Sequence, residues 1–152
     1  MCSSDLVFYD DYTSLRGFLH SHSYTGNALA CSAALATLDI FEREPVLENN
    51  RTTAQYMRQA VAPLEQHPHV GEIRQCGMIL ALEMVADRET MTPYHWRERR
   101  GMKVYQHALA NGVLLRPIGN VVYFMPPYVI RREEIDQMVQ VASQGIDLAT
   151  GN

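Results

Sequence analysis

Lysine is nearly missing from this chain of 152 residues: Lys103 is the only one, against twelve arginines. Any chemistry that requires a lysine therefore has a single candidate. Cysteine is scarce too. Cys2, Cys31 and Cys76 are odd in number and widely spaced, which excludes a disulfide framework and fits a reducing compartment, the cytoplasm. Cys31 and Cys76 lie among apolar residues and are expected as small buried hydrophobes. No apolar run approaches the roughly 20 residues that a bilayer crossing needs, so no membrane partner is expected. Positive charge is not in excess either. The formal net charge is −4 and the pI about 5.8, which argues against a nucleic-acid or anionic-membrane surface. A nucleophile elbow, a Walker loop and a dinucleotide fingerprint are all absent. The first six residues have no basic n-region and no apolar h-region, so they do not read as a signal peptide. Cys2-Ser3-Ser4-Asp5-Leu6 corresponds to what a common sequencing adapter encodes. Residues 1–6 are therefore expected to be a non-native junction, with the natural protein continuing upstream.

What is present is the composition of a folded domain, 47% hydrophobic and 20% charged. Val7 to Leu19 has no clean period and reads as loop with one turn of helix. Asn27 is a good N-cap for the alanine-rich run Ala28 to Phe41, which is apolar nearly all round and is expected to be a buried helix. Glu44-Pro45 ends it. A second helix is expected over Asn50–Gln66, capped by Asn49 or Asn50, with Ala54, Met57, Val61 and Leu64 on one face, and kinked or shortened by Pro63. His67-Pro68-His69 reads as a turn. Val70–Cys76 and Met78–Val85 read as two extended runs around Gly77, which marks a hairpin or a bulge. Arg88 to Arg97 is polar and irregular. Arg99–Asn111 reads as an amphipathic helix with Met102, Tyr105 and Leu109 inward, stopped at Asn111-Gly112. Short strands Val113–Arg116 and Val121–Met125 flank a turn at Pro117–Asn120. The last helix, Arg132–Leu148, turns Ile135, Met138, Val139, Ala142 and Ile146 inward. The order predicts an α/β fold, an α+β small domain whose strands form one mostly antiparallel sheet.

Few residues suggest chemistry. His20/His22 and His67/His69 are spaced two apart, but no carboxylate or cysteine stands at ligand spacing, so loop histidines are expected and no metal. The loop Ser21–Asn27 carries hydroxyls and free N–H groups ahead of a helix N-terminus. That suits a phosphate or carboxylate, and it suits simple helix capping as well. Arg116 ends an apolar strand just before Pro117. A guanidinium there could grip a carboxylate in bidentate fashion or could stand in solvent.

Two strings carry a resemblance. Phe18-Leu19-His20-Ser21-His22-Ser23-Tyr24-Thr25-Gly26-Asn27-Ala28-Leu29-Ala30-Cys31 resembles a signature of the class III pyridoxal-phosphate aminotransferases. Leu115-Arg116-Pro117, followed by Asn120-Val121-Val122-Tyr123-Phe124-Met125-Pro126-Pro127-Tyr128, is similar to the branch of that family that moves an amino group from S-adenosylmethionine to 8-amino-7-oxononanoate in biotin biosynthesis. The resemblance implies a fold-type I architecture, pyridoxal 5'-phosphate as cofactor, small-molecule substrates and a homodimer. It assigns residues 7–44 to the phosphate loop and connecting helix, at the end of a large domain, and residues 45–152 to the C-terminal small domain. By the same resemblance Ser23, with His22, holds the cofactor phosphate in the neighbouring subunit's site. Ser21 flanks the substrate, Arg116 pairs with the carboxylate of the oxo-acid, and Tyr123 lines that pocket. Ser23 stands where threonine is usual, Ser21 and His22 where Gly-Pro is frequent, and Ala28 where proline is common. No catalytic residue is expected within the chain, because the family needs a lysine to hold the cofactor's aldehyde and shuttle a proton, and Lys103 falls on the outer face of its helix. The chain by itself is thus expected to be inactive. Another class III ω-aminotransferase and a non-catalytic α/β binding module are the alternatives.

Overall fold

The structure, a computed structural model, describes residues 10–15 and 25–151, which fall into two compact units, Met1–Arg43 and Glu44–Asn152. In the first unit a 3-10 turn, Tyr12–Ser14, precedes helix α1, Ala28–Arg43. Its start obeys local chemistry. The Asn27 side chain accepts the Ala30 N–H at 3.0 Å, and the Asn27 carbonyl accepts the Cys31 N–H at 2.9 Å. The expectation of a buried helix is corrected: α1 buries none of its side chains, and Leu29, Leu35, Leu38, Ile40 and Phe41 are all exposed. Alanine-rich propensity and a cap suffice to wind a helix, whereas burial needs a partner surface. Cys31 is exposed for the same reason.

The second unit contains a five-stranded antiparallel sheet with three helices. α2, Val46–Val61, starts directly after Pro45, four residues earlier than expected; Asn49 and Asn50 lie inside it and do not cap it. Pro63 acts as anticipated, since the α-helix passes into a 3-10 segment, Ala62–Gln66. Ala54, Met57, Val61 and Leu64 all face the core. β1, Val70–Cys76, and β2, Ile79–Asp87, form a hairpin with Gly77, at φ +55°, as the first of its two turn residues. A two-residue strand, β3, Thr92–Pro93, pairs with the end of β2, in a stretch expected to be irregular. α3, Arg100–Ala110, buries Gly101, Val104 and Ala108 rather than the Met102–Tyr105–Leu109 face; Leu109 is exposed. The inward stripe lies about one position from that read from hydropathy, because Gly101 and Ala108 are small enough to let the helix approach its neighbours.

β4, Arg116–Ile118, and β5, Val121–Phe124, are joined by the two-residue turn Gly119–Asn120. The strand therefore begins where it was expected to end. Pro117 is tolerated because β4 is an edge strand in the order β1-β2-β5-β4. α4, Arg132–Thr150, closes the chain and packs on α3 through Gly145, where a Cβ would come within 3.0 Å of Val104 Cγ1. A hydrogen bond from the Tyr56 hydroxyl to Asp136, 2.7 Å, ties α2 to α4. The core is one continuous cluster that includes Met57, Leu80, Leu82, Met84, Val104, Leu115, Val122, Phe124, Ile135 and Ile146. Within it, alternate residues of β2 and β5 turn to the buried face. Phe124→Ala should lower the unfolding free energy by about 3–5 kcal/mol, read as a lower urea midpoint with an unchanged slope.

Candidate active-site face

The alternation that buries Leu80, Leu82, Val122 and Phe124 puts the intervening residues on the other side of the sheet. The ladder registers place four of them in one row: Arg74 opposite Ala81, Ala81 opposite Tyr123, and Tyr123 opposite Arg116. Directly opposed residues share a face, with Cβ atoms roughly 5 Å apart. Arg116 and Tyr123, seven apart in sequence, are thus immediate neighbours. The guanidinium is exposed and the tyrosine half-buried.

The two arginines of the row differ in electrostatics. Arg74 is held by two carboxylates, Glu72 and Glu83. Hydrogen bonds from Arg74 to Glu83 first and Glu72 second raise its pKa above the ordinary arginine value. The Arg116 side chain has no ion pair or hydrogen bond among the described residues. A cation left without an internal counterion beside an aromatic ring is what a carboxylate with an attached hydrocarbon chain requires. Neither the cavity of about 540 Å³ around Leu114, Pro127 and Met138 nor that of about 570 Å³ around Met78, Ile79 and Tyr128 includes either residue. The pair stands on an open face. Cys76, expected to be buried, is exposed at the end of β1 where its register partner is the exposed Ile79.

Ser21, His22 and Ser23 lie outside the described residues. Beyond them in the chain come Gly26, at φ +75° with open space where a Cβ would be, and the capped start of α1. Lys103 is exposed on α3, in the other unit from that loop. His67 and His69, read as loop histidines, take part in a polar network. His67 Nδ1 accepts the His69 N–H at 3.0 Å, which leaves Nε2 to donate to Asp147 at 2.9 Å. The Tyr94 hydroxyl shares a hydrogen bond with His69 Nδ1 at 2.7 Å, and the same nitrogen lies 3.2 Å from the Val85 carbonyl oxygen; burial raises the Tyr94 phenol above its ordinary pKa. Glu72, Arg74, Ala81 and Glu83 were missed as members of the site face. The phase of alternation in β1 and β2 was the signal that could have found them.

The family model for class-III aminotransferases matches residues 9–146. Adenosylmethionine-8-amino-7-oxononanoate aminotransferase of Nitratidesulfovibrio vulgaris is 46% identical over 94% of this chain and 26% of its own length. The enzyme of that name from Geobacter sulfurreducens is 42% identical over 95% and 32%. Among solved structures, adenosylmethionine-8-amino-7-oxononanoate aminotransferase of Methanocaldococcus jannaschii superimposes with a TM-score of 0.84 at 37% identity, covering 93% of this chain and 32% of that one. A thermostable omega transaminase from Pseudomonas jessenii gives 0.81 at 31% identity, covering 91% and 31%. The chain belongs to the class III aminotransferases. It spans between a quarter and a third of the length of these relatives.

The charge environments predict which arginine of the row reacts first. Phenylglyoxal, which attacks the neutral guanidine, should modify Arg116 well before Arg74, as read by peptide mapping at partial modification. The reverse order would contradict the pairing described.

Proposed function

We propose that this chain is the C-terminal part of a pyridoxal-phosphate aminotransferase that moves an amino group from S-adenosylmethionine to 8-amino-7-oxononanoate in biotin biosynthesis. The observation that carries the reading is the Arg116–Tyr123 pair, an exposed cation without a counterion among the described residues beside a half-buried ring. The naming of relatives over nearly the whole chain supports it. In this reading residues 7–44 end the large domain, residues 45–152 are the small domain, and residues 1–6 are a junction. The enzyme is a cytoplasmic homodimer acting on small molecules.

The residues present fit part of such a site. Ser23 and His22 precede the capped N-terminus of α1, a place where N–H groups and a hydroxyl can hold a phosphate; their role there is carried by the family likeness, across the dimer interface. Ser21 borders the substrate. Arg116 binds the oxo-acid carboxylate through two N–H···O bonds, and Tyr123 covers the adjoining hydrocarbon, so the keto end is presented at a fixed distance. Bound pyridoxal phosphate would supply the electron sink for amino transfer. No residue among those described suits its aldehyde. Lys103 is exposed on α3, so in this reading the lysine that holds the cofactor belongs to another part of the enzyme. The omega transaminase neighbours keep a second reading open, a different class III amine donor and acceptor, and a donor screen separates the two.

Sequencing the source DNA upstream of codon 7 tests the first point. An open frame of several hundred codons containing a lysine supports the proposal. A genuine start at Met1 refutes it and favours a binding module. In the full-length enzyme, Arg116→Ala should weaken 8-amino-7-oxononanoate binding by roughly 1.5–3 kcal/mol, the scale of a hydrogen bond to a charged group; an unchanged Michaelis constant would sink the assignment. Lys103→Met should leave turnover within about twofold, because in this reading an exposed lysine of α3 has no part in proton transfer.

A further inference from the structure

Arg116 sits on a short edge strand of the sheet. β4 is three residues long, lies at an edge, and has at its centre Pro117, which gives no N–H to the ladder. Such a strand takes its register from its turn, and a slip of one residue would carry Arg116 to the opposite face. The turn residues are Gly119, at φ +61°, and Asn120. Asn120 is anchored twice. Its carbonyl accepts the Met84 N–H at 3.0 Å, joining the turn to β2. Its Nδ2 donates to the Tyr94 carbonyl at 2.7 Å. Tyr94 is itself fixed: it is buried, its hydroxyl is hydrogen-bonded to His69 Nδ1, and the Arg100 guanidinium lies 3.9 Å from the centre of its ring. On the other side, the backbone of α3 walls the turn in. A Cβ on Gly101 would come within 2.3 Å of the Gly119 carbonyl oxygen.

We propose that Asn120 is a positioning residue for the carboxylate site. By clamping the β4–β5 turn to β2 and to Tyr94, it sets where Arg116 and Tyr123 stand, and so it sets the affinity for a carboxylate-bearing amino acceptor. Asn120 does not touch that acceptor; it acts through Arg116. The inference rests on the reading of Arg116 as the carboxylate anchor.

The test compares the full-length enzyme with Asn120→Ala, Asn120→Asp, Arg116→Ala and the Asn120→Ala/Arg116→Ala double variant. KM and kcat for 8-amino-7-oxononanoate are measured, with its Kd by calorimetry and the Tm of each protein. Both Asn120 variants should raise KM and Kd about five- to tenfold, the scale of one lost hydrogen bond with its donor or acceptor left unpaired. Turnover should stay within about twofold. The double variant should bind no more weakly than Arg116→Ala alone, because the two residues act as one unit. A purely structural role would instead lower Tm and kcat together and leave the two substitutions additive, and either result overturns the inference. So does a raised KM in Arg116→Ala beside wild-type values in Asn120→Ala. If Arg116→Ala itself leaves KM unchanged, the carboxylate reading falls and takes this inference with it. Should Asn120→Ala fail to fold, Gly101→Ala pushes the same turn from its other side. It should give the same KM-selective rise, and an unchanged KM there overturns the proposal.

Discussion

The candidate site depends on the register of β5 between its two neighbours. Burial of Val122 and Phe124 beneath the helices leaves Tyr123 no alternative to the open face, because successive side chains of a strand point to opposite sides. Pairing with β4 then brings Arg116 beside it, and pairing with β2 sets Ala81 and, beyond it, the neutralised Arg74 in the same row. Core packing and site geometry are two sides of one alternation.

Around that register the second unit supplies restraint. The Gly119–Asn120 turn is held by β2, by the Tyr94 carbonyl and by the close approach of Gly101. Tyr94 connects through His69 to the start of β1, and His67 connects to Asp147 on α4. These bonds bridge segments far apart in sequence, so they resist the sliding that a short edge strand with a central proline would otherwise allow.

The first unit obeys different physics. α1 is wound by alanine propensity and by Asn27, both local effects, and exposes its large apolar side chains. Its hydropathy was legible in the sequence, and so was its helicity. Its burial was not, since hydrophobicity states what a surface would gain from a partner and not where the partner is.

Much of the fold could be read from the chain alone. Period-3.6 stripes marked Ala54–Met57–Val61 in α2, with Leu64 in the 3-10 segment that follows it, and Ile135–Ala142–Ile146 in α4, and glycine marked the β1–β2 turn. These signals are local, set by which residues can share a face or adopt a left-handed backbone. The likeness to class III aminotransferases singled out Arg116 and Tyr123 but said nothing of how they meet. Tertiary structure decided what depends on contacts distant in sequence. It moved β4 forward to take in Pro117, because an edge position excuses the missing N–H. It turned α3 on its Gly101–Val104–Ala108 stripe, because small residues admit close packing. It neutralised Arg74 with carboxylates from two strands and left Arg116 uncompensated among the described residues. Composition and spacing determine which elements form; which charges find partners is settled only when strands from different parts of the chain lie side by side.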